Sequence, residues 1–168
     1  MRPLSALAAM ALGACATTGT LENRVYKSPE TTYEIGPLGP GWERLSVNDQ
    51  NDLAFHNPDK EAVMHVDSLC DPSLDIPLTA LRAHQMIGFT ERDVISEQTV
   101  PMDGREALRT HFTAKLDGVP REIVMQILKK DGCVYDFALI TPTGPPFEDA
   151  VGDFDAFVDG FQTISEKS

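Results

Sequence analysis

The sequence predicts an α+β fold, an antiparallel sheet with a four-strand meander covered by helices. Three observations predict it. Asp-Gly occurs at 103–104, 117–118 and 131–132, each time between strand-like runs. Asp-Gly tolerates positive φ at both central positions of a two-residue turn, whose twist matches that of paired strands, so each one marks a hairpin. The runs they join are Val94–Met102, Glu106–Leu116, Val119–Lys130 and Cys133–Ile140. Secondly, the last two runs carry apolar residues on both faces. Ile123, Met125 and Ile127 oppose Val124 and Leu128, and Tyr135, Phe137 and Leu139 oppose Val134, Ala138 and Ile140. Side chains alternate along a strand, so both sides of this sheet need cover. Thirdly, Phe147, Ala150, Val151, Phe154, Phe157, Val158 and Phe161 follow helical spacing. Glu148, Asp149, Asp153, Asp155 and Asp159 fill the rest of that helix. Membrane-surface helices carry basic polar faces, so this acidic one is expected on the sheet, as a core element.

The elements follow in order. Residues 1–14 hold one charge, Arg2, followed by an apolar run of 11 residues from Leu4 to Ala14. A helix across a bilayer needs about 20 residues, so the run reads as a secretion signal rather than a permanent anchor. Leu12-Gly13-Ala14-Cys15 resembles the lipobox of bacterial lipoproteins. That resemblance implies cleavage before Cys15, a diacylglyceryl group on its sulfur and a further acyl chain on its amino group. More than one chain is what stable anchoring takes. Ala16 stands where the family's inner-membrane retention signal has Asp, which implies the periplasmic face of the outer membrane. The alternative is a plain secretory signal cut nearby, with Cys15 incidental.

Residues 15–30 carry few apolar side chains and are expected to be a flexible tether, with a single domain over 31–168. Thr32–Ile35, Leu45–Val47, Asp52–His56 and Ala62–Cys70 have strand composition, with a connector rich in Gly and Pro at 36–41. That connector lacks the Lys-Ser/Thr of a phosphate loop. A helix is expected over 76–87, with Asp75 as its N-cap and Gly88 stopping it. Thr141–Pro146 reads as a stiff connector to the final helix.

Three cysteines are present. With Cys15 assigned to lipid, Cys70 and Cys133 remain, one ending a strand and the other beginning one. An exported chain meets an oxidising compartment, which favours a disulfide between them over two buried thiols. No CxxC or HxxxH spacing accompanies them, so a metal pair is disfavoured.

The element order resembles the PsbP-like fold, an α/β/α sandwich. The resemblance rests on Pro40-Gly41-Trp42, Gly104-Arg105-Glu106-Ala107, Cys133-Val134-Tyr135-Asp136 and Phe157-Val158-Asp159-Gly160-Phe161, and it covers residues 31–164. These are turn and core positions, so it implies a fold, and binding or subunit-stabilising roles rather than enzymatic ones, with no ligand residue carried over.

The charge balance narrows the partners. Lys and Arg number 14 against 26 Asp and Glu, for a net charge of −12. Such a surface repels phosphate backbones and anionic head groups, so nucleic acid is excluded and membrane contact is left to the lipid on Cys15. Four histidines occur, His56, His65, His84 and His111, none paired at metal-ligand spacing. His65 and Asp67 share one strand face, and Arg109 and His111 share another. Adjacent strands would join them in a polar cluster. No Gly-x-Ser-x-Gly is present. The chain therefore reads as a lipid-anchored, non-catalytic envelope module, without cofactor or metal, that binds or assembles with an envelope protein. The second reading is a hydrolytic or metal-dependent enzyme using His65 and His111 with nearby acids.

Overall fold

Each Asp-Gly pair makes the tight turn its chemistry allows. In the computed structural model, which describes residues 19–46 and 51–165, φ is positive at Asp103 and Gly104, at Asp117 and Gly118, and at Asp131 and Gly132. Four long strands run between them: β7 (Phe89–Met102), β8 (Arg105–Leu116), β9 (Val119–Lys130) and β10 (Cys133–Thr141). The predicted signal and Cys15 lie outside the described residues.

Three earlier strands extend this meander: β4 (Glu43–Leu45), β5 (Leu53–Asn57) and β6 (Ala62–Leu69). The resulting antiparallel sheet has the order β4-β5-β6-β10-β9-β8-β7. β10 is the last strand of this sheet in sequence, yet it sits at the centre, between β6 and β9. A second, small sheet combines β1 (Thr20–Glu22), β2 (Val25–Lys27), β3 (Thr32–Glu34) and β11 (Gln162–Thr163) in the order β1-β2-β3-β11.

Both faces of the main sheet carry apolar side chains, and both receive a helix. On one face lie α2 (Pro145–Asp159) and the small sheet. Phe154, Phe157 and Phe161 pack there among Phe55, Phe137, Tyr135 and Tyr33, all buried. Burying such rings contributes about 1.5–3 kcal/mol each, which makes α2 integral to the core. On the opposite face lies α1 (Leu78–Gln85), with Leu81 against Ile127 and Val134. Met86, just beyond its end, packs on Phe112, Ile123 and Met125.

Four expectations need correction. The stretch 15–30 is not a tether throughout, because β1 and β2 form a hairpin over 20–27 and Tyr26 is buried against Tyr33 at a ring distance of 4.9 Å. Asp75 does not cap α1. It closes a short 3-10 turn, Pro72–Leu74, its carboxylate accepts from Lys129 Nζ at 2.6 Å, and Pro77 occupies the N-cap position. The third difference is at β7, which starts five residues before the expected Val94, because the sheet partner β8 supplies ladder bonds that polar residues 90–93 do not advertise. Finally, the connector at 141–146 is shorter than read, since β10 runs through Thr141 and Pro145 opens α2, where a missing N–H costs nothing.

Candidate functional site

Asp136 on β10 stands directly opposite Asp67 on β6. The two strands pair antiparallel because each buries an apolar face in the α2-side core, Met64 and Val66 from β6 and Tyr135, Phe137 and Leu139 from β10, which brings together two carboxylates far apart in sequence. Like charges placed opposite each other destabilise a strand pair. Burial pushes the Asp136 carboxyl up to about 7, with the charge of Asp67 adding to it. Burial likewise lifts Asp67 to about 6, reinforced by the charge of Asp52. Gln85, the last residue of α1, donates to Asp136 Oδ2, while the buried Oδ1 has no hydrogen-bond partner.

Asp52, immediately before β5, turns to the opposite, α2 side of the sheet. Its carboxylate accepts from Tyr26 and Tyr33 hydroxyls at 2.9 Å each and from the Ser68 hydroxyl. Burial still raises its pKa, against those bonds. His65 lies two residues from Asp67 on the same face. Burial draws its pKa down to about 4, so the ring is neutral, and Asn51 Nδ2 sits 3.2 Å from its Nδ1.

Among the described residues, eight acids are half-buried: Glu34, Asp52, Asp67, Asp103, Glu122, Asp136, Asp153 and Asp155. Glu34, Asp103, Glu122, Asp153 and Asp155 each sit within ion-pair distance of Arg24, Lys130, His111, Lys60 and Arg109 respectively. The three without such a partner are Asp52, Asp67 and Asp136, of which Asp67 and Asp136 face each other across β6 and β10.

Gln85 covers the Asp136 end of this pair, and Asp67 and His65 beside it are half-buried. α1 packs on β8 and β9. Among the described residues no helix lies over the same face of β5 and β6. That half-face presents His56, Val63, His65, Asp67 and Ile140, half-buried, with Leu69 50% and Leu45 38% exposed at its margins. Apolar and ionisable groups are thus mixed on one accessible surface.

The sequence-based pairing of His65/Asp67 with Arg109/His111 does not occur. β10 and β9 separate β6 from β8, and the register puts His65 on the α1 face and His111 on the α2 face. There His111 Nε2 meets Glu122 at 2.9 Å and its ring stacks on Phe147 at 4.6 Å, tying β8 and β9 to the start of α2. Arg109 bridges Gln126 and Asp155 and lies over the Phe154 ring. Among the described residues no group of three His, Cys, Asp or Glu is disposed to hold a metal ion. Cys70 and Cys133 form a disulfide that closes the β6–β10 pair at its end, 63 residues apart in sequence. A cleft of about 460 Å³ lined by Thr31, Tyr135 and Thr163 and another of about 440 Å³ lined by Leu74, Lys129 and Lys130 flank it. Their polar groups are already engaged: Thr31 with Tyr135, Lys129 with Asp75, Lys130 with Asp103. The Asp67–Asp136 pair was missed from sequence. The available signal was Asp136 itself, the only charge in the otherwise apolar run Cys133–Ile140.

No family model matches the sequence, and no curated protein matches it. Solved structures do match. The chain is similar to the solution structure of cyanobacterial PsbP (CyanoP) from Synechocystis sp. PCC 6803, with a TM-score of 0.59 at 17% identity, over 91% of this chain and 99% of that one. It is similar to LpqN, involved in cell envelope biogenesis of Mycobacterium tuberculosis, with a TM-score of 0.59 at 11% identity, over 88% and 90%. It is also similar to the Saccharomyces cerevisiae Ran-binding protein Mog1p, with a TM-score of 0.51 at 11% identity, over 89% and 96%. The fold is therefore the PsbP-like α+β sandwich expected from the sequence.

Proposed function

We propose that the chain is a lipid-anchored protein of the cell envelope that docks a protein partner, without chemistry of its own, on the helix-free half of its main sheet. The observation that carries this reading is the accessible half-face of β5 and β6, where apolar side chains surround carboxylates that lack an ion-pair partner. Exposed surfaces mixing apolar and polar groups in this way mark interaction sites. Two features of the leader support the address: the apolar run ending at Ala14, and the Leu12–Cys15 box. No helix of the described residues is long and apolar enough to cross a membrane. A likeness to an envelope-biogenesis protein and to a Ran-binding protein supports a binding role on this fold.

Two measurements in the native host test the reading. Labelled palmitate is expected on the wild-type chain in the outer-membrane fraction and not on Cys15→Ala. A photo-crosslinking amino acid at position 63 is expected to capture one discrete partner, while the same probe at Glu148, on the outer surface of α2, captures none. An unlabelled wild-type chain overturns the anchoring, and equal capture from both positions overturns the docking surface.

A further inference from the structure

We infer that the docked partner presents a lysine or arginine side chain, flanked by apolar residues, to Asp67, with the buried Asp136 carboxyl behind it adding negative potential. This deepens the docking reading and rests on it.

The argument is one of charge complementarity. Where five of the eight half-buried acids of the described residues have an ion-pair partner, Asp67 and Asp136 face each other with none. Asp52 lies on the other side of the sheet with its oxygens committed to Tyr26, Tyr33 and Ser68, so it supplies field rather than a binding atom. The surrounding elements bring no cation either. α1 contributes the Gln85 amide, its Arg82 is paired with Glu97, β9 contributes Ile127 opposite Asp136, and β6 contributes the neutral His65. A strand pair carrying two opposed carboxylates is held at a cost that an arriving cation relieves. The rim dictates the flanks. Val63, Leu69 and Ile140 are apolar and accessible, which suits the stem of a long basic side chain and aliphatic neighbours. A partner of opposite charge also fits the net charge of −12, which draws basic surfaces in and speeds encounter.

Because Asp67, at about 6, and Asp136, at about 7, carry protons in the lower part of the neutral range, cation binding expels protons there. Docking is therefore expected to strengthen as pH rises from about 5.5 to about 8. Asp67, Asp136, His65 and, further along the same half-face, His56 are the titratable groups on this side of β5, β6 and β10, with Asp52 behind them, and His65 is uncharged across that window.

The probe is a short peptide, acetyl-Leu-Arg-Leu-Arg-Leu-amide, titrated into the folded chain by NMR, with the Gln-for-Arg peptide as control. Amide shifts confined to Val63–Leu69 and Val134–Ile140 are expected, with affinity at least about tenfold weaker for the control peptide and for the double variant Asp67→Asn, Asp136→Asn. The near-isosteric amides relieve repulsion, so the double variant is expected to stay folded, which its spectrum reports directly. Equal binding by the Gln peptide, or undiminished binding by the double variant, overturns the inference. So does affinity that falls with rising pH. In cells, capture at position 63 that survives the double substitution leaves the docking surface standing and removes only the cation. Loss of capture by the wild-type probe removes the surface itself.

Discussion

The backbones of Gly36 and Gly160 touch: a Cβ on Gly160 would lie 2.4 Å from the Gly36 Cα, and one on Gly36 would lie 1.9 Å from the Ala156 carbonyl oxygen. The contact lets the Gly36 N–H donate to the Phe157 carbonyl at 2.9 Å, fastening the chain after β3 to the end of α2. φ at Gly160 is −87°, so the position demands space and not an unusual conformation. Gly36→Ala is expected to destabilise the fold by at least about 1–3 kcal/mol. Urea denaturation checks this, and an unchanged midpoint would separate the two backbones.

Phe154 is fully buried and contacts Phe157 and the Arg109 guanidinium. Phe154→Ala is expected to cost about 3–5 kcal/mol, read from the same transition. Phe154→Leu, which keeps most of the volume, is expected to lose far less.

The Asp67–Asp136 pair makes stability depend on pH. Unfolded, both titrate near 4. Folded, they titrate near 6 and near 7, so the native state holds extra protons in between. Their contribution is therefore intact at acid pH and is lost as pH climbs through those folded values. Asp136→Asn is expected to match wild type near pH 4 and to exceed it on the order of 2–3 kcal/mol at pH 8, after allowance for solvent access. Thermal melts across this range decide, and a difference independent of pH would refute the assignment.

The Cys70–Cys133 disulfide closes a long loop, which in the chain-entropy account stabilises by about 4 kcal/mol. Reduction, or the pair of Ser substitutions, is expected to lower the melting temperature accordingly. Identical melting with and without reductant would show that the bridge is not formed in the protein measured.

What the sequence made legible was local. Asp-Gly turn chemistry and the phenylalanine stripe each act over a few residues, so the meander and α2 were readable with little error. The β1–β2 hairpin was hidden because each strand is three residues long and the pair holds one buried ring, Tyr26. The site was hidden for a different reason. Asp67 and Asp136 meet only through the β6–β10 pairing, which joins segments that no turn connects, and its register cannot be read from either strand alone. His65 and His111 were readable as face-sharing residues of their own strands, but which side of the sheet each face becomes depends on that same long-range order.

The early hairpin also limits reach. With β1 beginning at Thr20, only residues 16–19 separate it from Cys15. At about 3.3–3.6 Å per residue, that leash extends roughly 17 Å, against roughly 50 Å had the whole stretch to residue 30 been slack. On the proposed anchoring, the small sheet rides close above the lipid head groups and the domain cannot swing far from them. Its partner must then be a protein that itself sits at the bilayer surface, or one that projects to within a domain's height of it.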